Sequence, residues 1–179
     1  MIIVSNHLLK KTQLEFPNDK IVMRINVAWI KEKKDLIKLL EEIKHDIYLD
    51  YPQGRTKPPQ PTLDLDEVIE LIPQYKNVKH FAVSNVEDPV AIYGIKSKIP
   101  SDTNLVPKIE TKKGIETLGE IIDAIKAKPI MLDKEDLYID VKRDHEEFER
   151  LIELARKTCK EKGVKILELQ GVVFAPHEN

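Results

Sequence analysis

Residues 104–140 read NLVPKIETKKGIETLGEIIDAIKAKPIMLDKEDLYID. Two short apolar strands, around L-V-P-K-I-E-T and P-I-M-L-D-K-E-D-L, flank one helix. Each strand runs into charged residues: Lys108 and Glu110 on the first, Asp133 to Asp136 on the second. A buried apolar strand with acids at its C-terminal end is how a β/α barrel presents a metal site. Carboxylates from adjacent strands suit one hard divalent cation. Lys108 beside them would steady developing negative charge.

The same alternation extends outward in both directions. Strands are expected over 2–5, 20–27, 46–49, 80–83, 105–109, 130–132 and 164–174. Helices are expected over 31–43, 65–72, 88–99, 114–126 and 144–162, each with apolar residues at helical spacing. Asp64 or Asp66 is a candidate cap, Pro89 suits a first turn, and Gly163 suits a helix end. The stretch YPQGRTKPPQP, 51–61, holds four prolines and one glycine and is loop. Repeated βα units imply a parallel sheet covered by helices. The choice lies between a compact (β/α) TIM-type barrel, for which 179 residues is short of the usual ~250, and an open doubly wound sheet, whose glycine motifs G-x-G-x-x-G and G-x-x-x-x-G-K-[ST] are missing.

The chain has 179 residues, 41% hydrophobic and 34% charged, which fits a single domain, 1–179, with a real core. With 29 basic and 31 acidic residues the net charge is −2, and no basic run stands out, so no nucleic-acid partner is expected. The single cysteine, Cys159, excludes an internal disulfide and points to a reducing, cytoplasmic setting. The N-terminus lacks the pattern of a signal peptide, and no apolar run reaches the ~18 residues needed to cross a membrane. A barrel this small would leave apolar helix faces exposed, so a homo-oligomer is an expectation.

PKIETKKGIETLGEII followed by IMLDKEDLYIDV resembles the metal-binding core of pyruvate kinases, where a K-I-E strand, a glycine and a helix precede a D-L turn. It is similar too to citrate lyase β subunits and class II pyruvate-dependent aldolases, all of the phosphoenolpyruvate/pyruvate superfamily. VMRINVAW resembles the R-x-N-x-S-H strand, IYLDYPQGR the L-D-x-x-G-P strand, HFAVSNVEDPVAI the S-F-V-R-x-x-x-D-V segment, and KILELQG stands where an A-T-Q strand would. The resemblance implies a barrel in which Glu110 and Asp136 hold Mg²⁺ or Mn²⁺, while Lys108 stabilises an enolate or a transferring phosphoryl group. It implies that Arg24 grips a carboxylate or phosphate. Asn26, Asp50, Thr111 and Gln170 would contact substrate or a monovalent cation. Arg55, in the proline-rich loop, is an added phosphate-binding candidate.

The departures bear on activity. Residues 51–63 are too few for the lid domain of pyruvate kinases, and a C-terminal regulatory domain is not expected. Ala28, Trp29, Leu169 and Glu135 replace a serine, a histidine, a threonine and a glycine of the pattern. The expected activity is therefore a divalent-metal-dependent lyase or aldolase. Its substrate would be a small 2-oxo acid (pyruvate, oxaloacetate or a phosphoenolpyruvate-like molecule), cleaved through a metal-stabilised enolate. The alternatives are a degenerate barrel that binds a ligand or partner without catalysis, and a phosphotransferase with a borrowed lid. Asp133 and Glu135 read as solvated neighbours able to replace Asp136 as ligand. Metal-bound water, Lys108 or a loop histidine could be the base.

Overall fold

The computed structural model describes residues 2–5, 21–54 and 58–168. Seven strands form one sheet: β1 (Ile2–Ser5), β2 (Ile21–Asn26), β3 (Asp46–Tyr51), β4 (Val78–Val83), β5 (Asn104–Ile109), β6 (Pro129–Leu132) and β7 (Lys165–Glu168). They lie side by side in chain order and every pairing is parallel. Between them run α1 (Lys33–Glu42), α2 (Leu65–Leu71), α3 (Pro89–Lys96), α4 (Lys112–Glu116), α5 (Leu118–Ile125), α6 (Lys134–Asp140) and α7 (His145–Glu161).

Strand order decides the shape. Right-handed crossovers between strands added always on the same side place every helix on one face of the sheet. Side-chain alternation agrees. Ile25, Leu49, Phe81, Ile109 and Ile130 pack outward against Leu36, Ile92, Leu118 and Leu151 of the helices in one core. Val22, Tyr48, Ala82, Val106 and Met131 point the other way and form a second cluster, to which no helix among the described residues contributes. A parallel sheet that buries its inner face without helices must curl over itself, as in a β/α barrel. The expected closed barrel is met as an open arc: β1 and β7 are its two edges among the described residues. The eighth strand that closure demands is not among them.

The helix starts follow their caps. Asp64 caps α2 in a reciprocal box with Glu67, Asp88 caps α3 ahead of Pro89, and Asp144 caps α7. Gly163 takes φ +66° just beyond α7, the left-handed exit that glycine permits. The single helix expected over 114–126 is two. Thr117 interrupts it, its hydroxyl 3.0 Å from both the Lys113 and the Glu87 carbonyls, a side-chain bond that competes with the helical ladder. The stretch after β6, read as strand, is helix α6: Asp133 caps it and Asp136 lies in its first turn. His80 sits within β4, with its ring 6.0 Å from that of Tyr48. No helix among the described residues is long and apolar enough to cross a membrane.

Candidate active site

The C-terminal ends of the strands carry the polar residues of the inner face. Alternation sets this: above Val22 come Arg24 and Asn26, above Tyr48 comes Asp50, above Ala82 comes Ser84, and above Val106 come Lys108 and Glu110. The same end of β6 leads into Asp133. Arg24, Asn26, Ser84, Lys108, Glu110 and Asp133 line a cavity of about 350 Å³, with Thr111, Asp136, Ile139 and Asp140 at its rim.

A buried row of alternating charge forms the floor. Asp50, fully buried, takes Nε of Arg24 at 2.9 Å on Oδ2, and Nη2 of Arg24 bonds the same oxygen. Lys108 stands between two carboxylates, 2.9 Å from Glu110 Oε1 and 3.6 Å from Asp50 Oδ1, and its amine donates to Ser84 Oγ at 2.9 Å. Glu110 Oε2 accepts the backbone N–H of Asn85 at 3.1 Å. Asn85 holds φ 53°, a left-handed position that asparagine tolerates, and its side-chain amide donates to the Gln53 carbonyl at 2.7 Å. The row thus ties β2, β3 and β5 to the two loops that close the cavity.

Burial dictates the electrostatics. Burial works against the charge of Lys108, but Asp50 and Glu110 outweigh it and hold the amine above its ordinary range. Lys108 is therefore a fixed cation rather than a base. Burial likewise opposes the Arg24 charge and Asp50 overcomes it. Burial raises the Glu110 carboxyl, Lys108 pulls it down, and the nearby Asp133 carboxylate pushes it up again. Tyr48, beneath the row, is pushed well up by burial and by the Asp50 carboxylate, so its phenol stays neutral.

Oxygens of Glu110, Asp133 and Asp136 lie within 4.8 Å of one another. A hard cation with oxygens at ~2.0–2.6 Å places opposite ligands about 4–5 Å apart. The donor set therefore fits such an ion in both chemistry and spacing.

Of the residues singled out in the sequence, Arg24, Lys108, Glu110 and Asp136 meet in this cavity. Asn26 lines it too, with Oδ1 accepting the Ala28 N–H at 3.0 Å. Thr111 is committed: its hydroxyl donates to Glu87 at 2.7 Å and accepts the Gly114 N–H at 3.1 Å as the cap of α4. Asp50 lies beneath the cavity, not in its wall. Arg55 and Gln170 fall outside the described residues. Asp133 joins the carboxylate set, and the signal for it was D-K-E-D at a helix start, where Asp133 accepts the Asp136 N–H at 3.3 Å. Ser84 and Asn85 carried no recognisable signal. His145 is an exposed first-turn residue of α7, and Tyr138 packs edge-on against Phe148 at 5.2 Å.

No protein-family model matches the sequence, and no curated protein does. Solved structures match its fold. RipC from Yersinia pestis superposes with TM-score 0.61 at 15% identity, over 88% of this chain and 72% of that one. A HpcH/HpaI aldolase/citrate lyase family protein from Burkholderia cenocepacia J2315 gives 0.63 at 10% identity, over 82% and 70%. The citrate synthase SbnG gives 0.60 at 11%, over 88% and 69%. At these identities the likeness is one of fold.

Proposed function

We propose that this chain is a divalent-metal-dependent lyase or aldolase of the phosphoenolpyruvate/pyruvate barrel type, acting on a small 2-oxo acid such as pyruvate or oxaloacetate. The observation that carries the reading is the Glu110, Asp133 and Asp136 cluster beside the fixed cation Lys108, at the C-terminal end of a parallel sheet. Its fold is shared with an aldolase/citrate lyase family protein, which supports the same chemistry. Glu110, Asp133 and Asp136 would hold Mg²⁺ or Mn²⁺. A cation bound there supplies Lewis acidity toward the substrate carbonyl.

The chain's own residues do the rest. Arg24, its side chain 23% exposed, keeps donors free of Asp50 to receive the substrate carboxylate. Lys108 stays charged and stabilises the negative charge that develops as a C–C bond breaks or a proton leaves. The cavity, at about 350 Å³, has room beyond a three-carbon acid for the fragment that departs or adds.

One observation favours binding without catalysis. Among the described lining residues there is no histidine and no neutral amine, so carboxylates and metal-bound water are left as bases. Exchange of pyruvate methyl protons into D₂O, followed by NMR with Mg²⁺ or Mn²⁺, separates the two readings. Exchange that needs the metal and vanishes in Glu110→Gln supports enolate chemistry. Metal binding with no exchange supports the binding barrel, for pyruvate at least. Neither binding nor exchange ends the metal reading.

A further inference from the structure

Lys108 occupies the place a cation would contest. One oxygen of Glu110, Oε2, is taken by the Asn85 N–H. The other, Oε1, is where Lys108 sits at 2.9 Å. Meanwhile Asp50 Oδ1, fully buried, has no hydrogen bond and faces the same amine at 3.6 Å. A buried carboxylate oxygen left without a donor is costly, and a permanently charged ammonium 3.6 Å away needs only a small movement to become that donor.

We propose that Lys108 is an internal counter-ion of Glu110 that an incoming divalent cation displaces onto Asp50. The inference rests on the metal reading above. The movement is small: closing 3.6 Å to a charge-assisted bond of about 2.9 Å needs a shift of under ~1 Å. The lysine stem is flexible and its ammonium carries three donors, so the Ser84 bond at 2.9 Å can persist as a pivot. Displacement frees Glu110 Oε1 for the metal and satisfies Asp50 Oδ1 in the same step. Asp50 is then a positioning residue, acting through Lys108 on one side and through Arg24 on the other. In this scheme the cation sets where the lysine stands before substrate arrives.

Mn²⁺ binding by calorimetry tests this on wild type, Lys108→Met, Asp50→Asn and the double variant. One charge-assisted bond gained or lost is worth about ten-fold in affinity. Lys108→Met should bind Mn²⁺ about that much more tightly, because the competitor is gone. Asp50→Asn should bind about that much more weakly, because the displaced lysine loses the charge that would receive it and keeps at best a neutral acceptor. In the Lys108→Met background the Asp50→Asn effect should shrink to a small residue, a coupling that a double-mutant cycle reads directly. A simple field effect of Asp50 would survive unchanged in that background and would overturn the proposal. Binding by Lys108→Met but not by wild type would support it in its strongest form. Binding by neither overturns the metal reading and this inference with it, whereas additive effects overturn the inference alone. If Asp50→Asn does not fold, the wild-type crystal structure with Mn²⁺ decides. Lys108 Nζ bonded to Asp50 Oδ1 and off Glu110 supports displacement; Nζ still at Glu110 refutes it.

Discussion

Asp133 carries two duties that one pair of substitutions can separate. Its carboxylate belongs to the cluster with Glu110 and Asp136, and the same side chain caps α6 by accepting the Asp136 N–H at 3.3 Å. Asparagine caps helices as well as aspartate does, whereas alanine gives up ~0.5–2 kcal/mol. The 3.3 Å bond is long, so the lower half of that range applies. Asp133→Asn should therefore unfold in urea within ~0.5 kcal/mol of wild type, and Asp133→Ala about 1 kcal/mol earlier. Metal affinity should ignore that difference. A unit charge about 4 Å from a divalent cation is worth ~2 kcal/mol even at water's dielectric, and the site is drier than water. Both variants should bind Mn²⁺ at least ~30-fold more weakly. The assays are Mn²⁺ calorimetry and urea denaturation on the same three proteins. If Asp133→Asn binds Mn²⁺ within about three-fold of wild type, Asp133 is a cap alone and the three-carboxylate site is wrong.

Other perturbations test the scaffold around the site. A Cβ on Gly114 would stand 2.7 Å from the Val86 carbonyl oxygen, a backbone atom that cannot step aside. Overpacking costs ~1–3 kcal/mol and better helix propensity returns at most ~1, so Gly114→Ala should lower the urea midpoint; an unchanged midpoint refutes the close approach. Glu147, bonded by Arg150 and by Lys112 of α4, has its carboxyl held down to about 2 from an ordinary 4.5. A lowered pKa stabilises the fold above the unfolded value and is lost as pH falls, so wild type and Glu147→Gln should differ at pH 6 and converge between pH 4.5 and about 2. A gap constant across that window would mean the contact is not ionic. Burial pushes the Cys159 thiol up to about 11, so a disulfide reagent at pH 8 should react only as fast as the native protein opens; immediate labelling would contradict its burial.

Alternation along one strand is local information, and what depended on it was legible. Arg24 between Met23 and Ile25 had to face away from the outward core, and Lys108 and Glu110, two residues apart, had to share a face. The βα rhythm gave the parallel sheet for the same reason. Other features were hidden because they depend on neighbouring strands. Asp50 reaches Arg24 only through the register that sets Arg24 opposite Tyr48 and Asn26 opposite Asp50. Nothing in DIYLDY states that register. Asp50 therefore read as a substrate ligand when it is the buried partner of two cations. Asp136 was read at a strand end because P-I-M-L-D runs on apolar and acidic without a break, yet D-K-E-D is also a helix start, and the cap won.

A row of alternating charges across three strands costs desolvation at every member and is stable only if each charge is matched. Arg24, Asp50, Lys108 and Glu110 match in pairs, and Ser84 and Asn85 add the neutral donors and acceptors that the ends of the row require. The mismatch lies at one atom, Asp50 Oδ1, while Glu110, Asp133 and Asp136 bring their oxygens together on the open side. A divalent cation held by those oxygens would, by releasing Lys108, supply the inner oxygen with its donor. A purely structural ion network would have no reason to leave its central carboxylate short of a proton while crowding acids at its rim. That asymmetry, more than the presence of acids, is what argues for a metal-dependent site here.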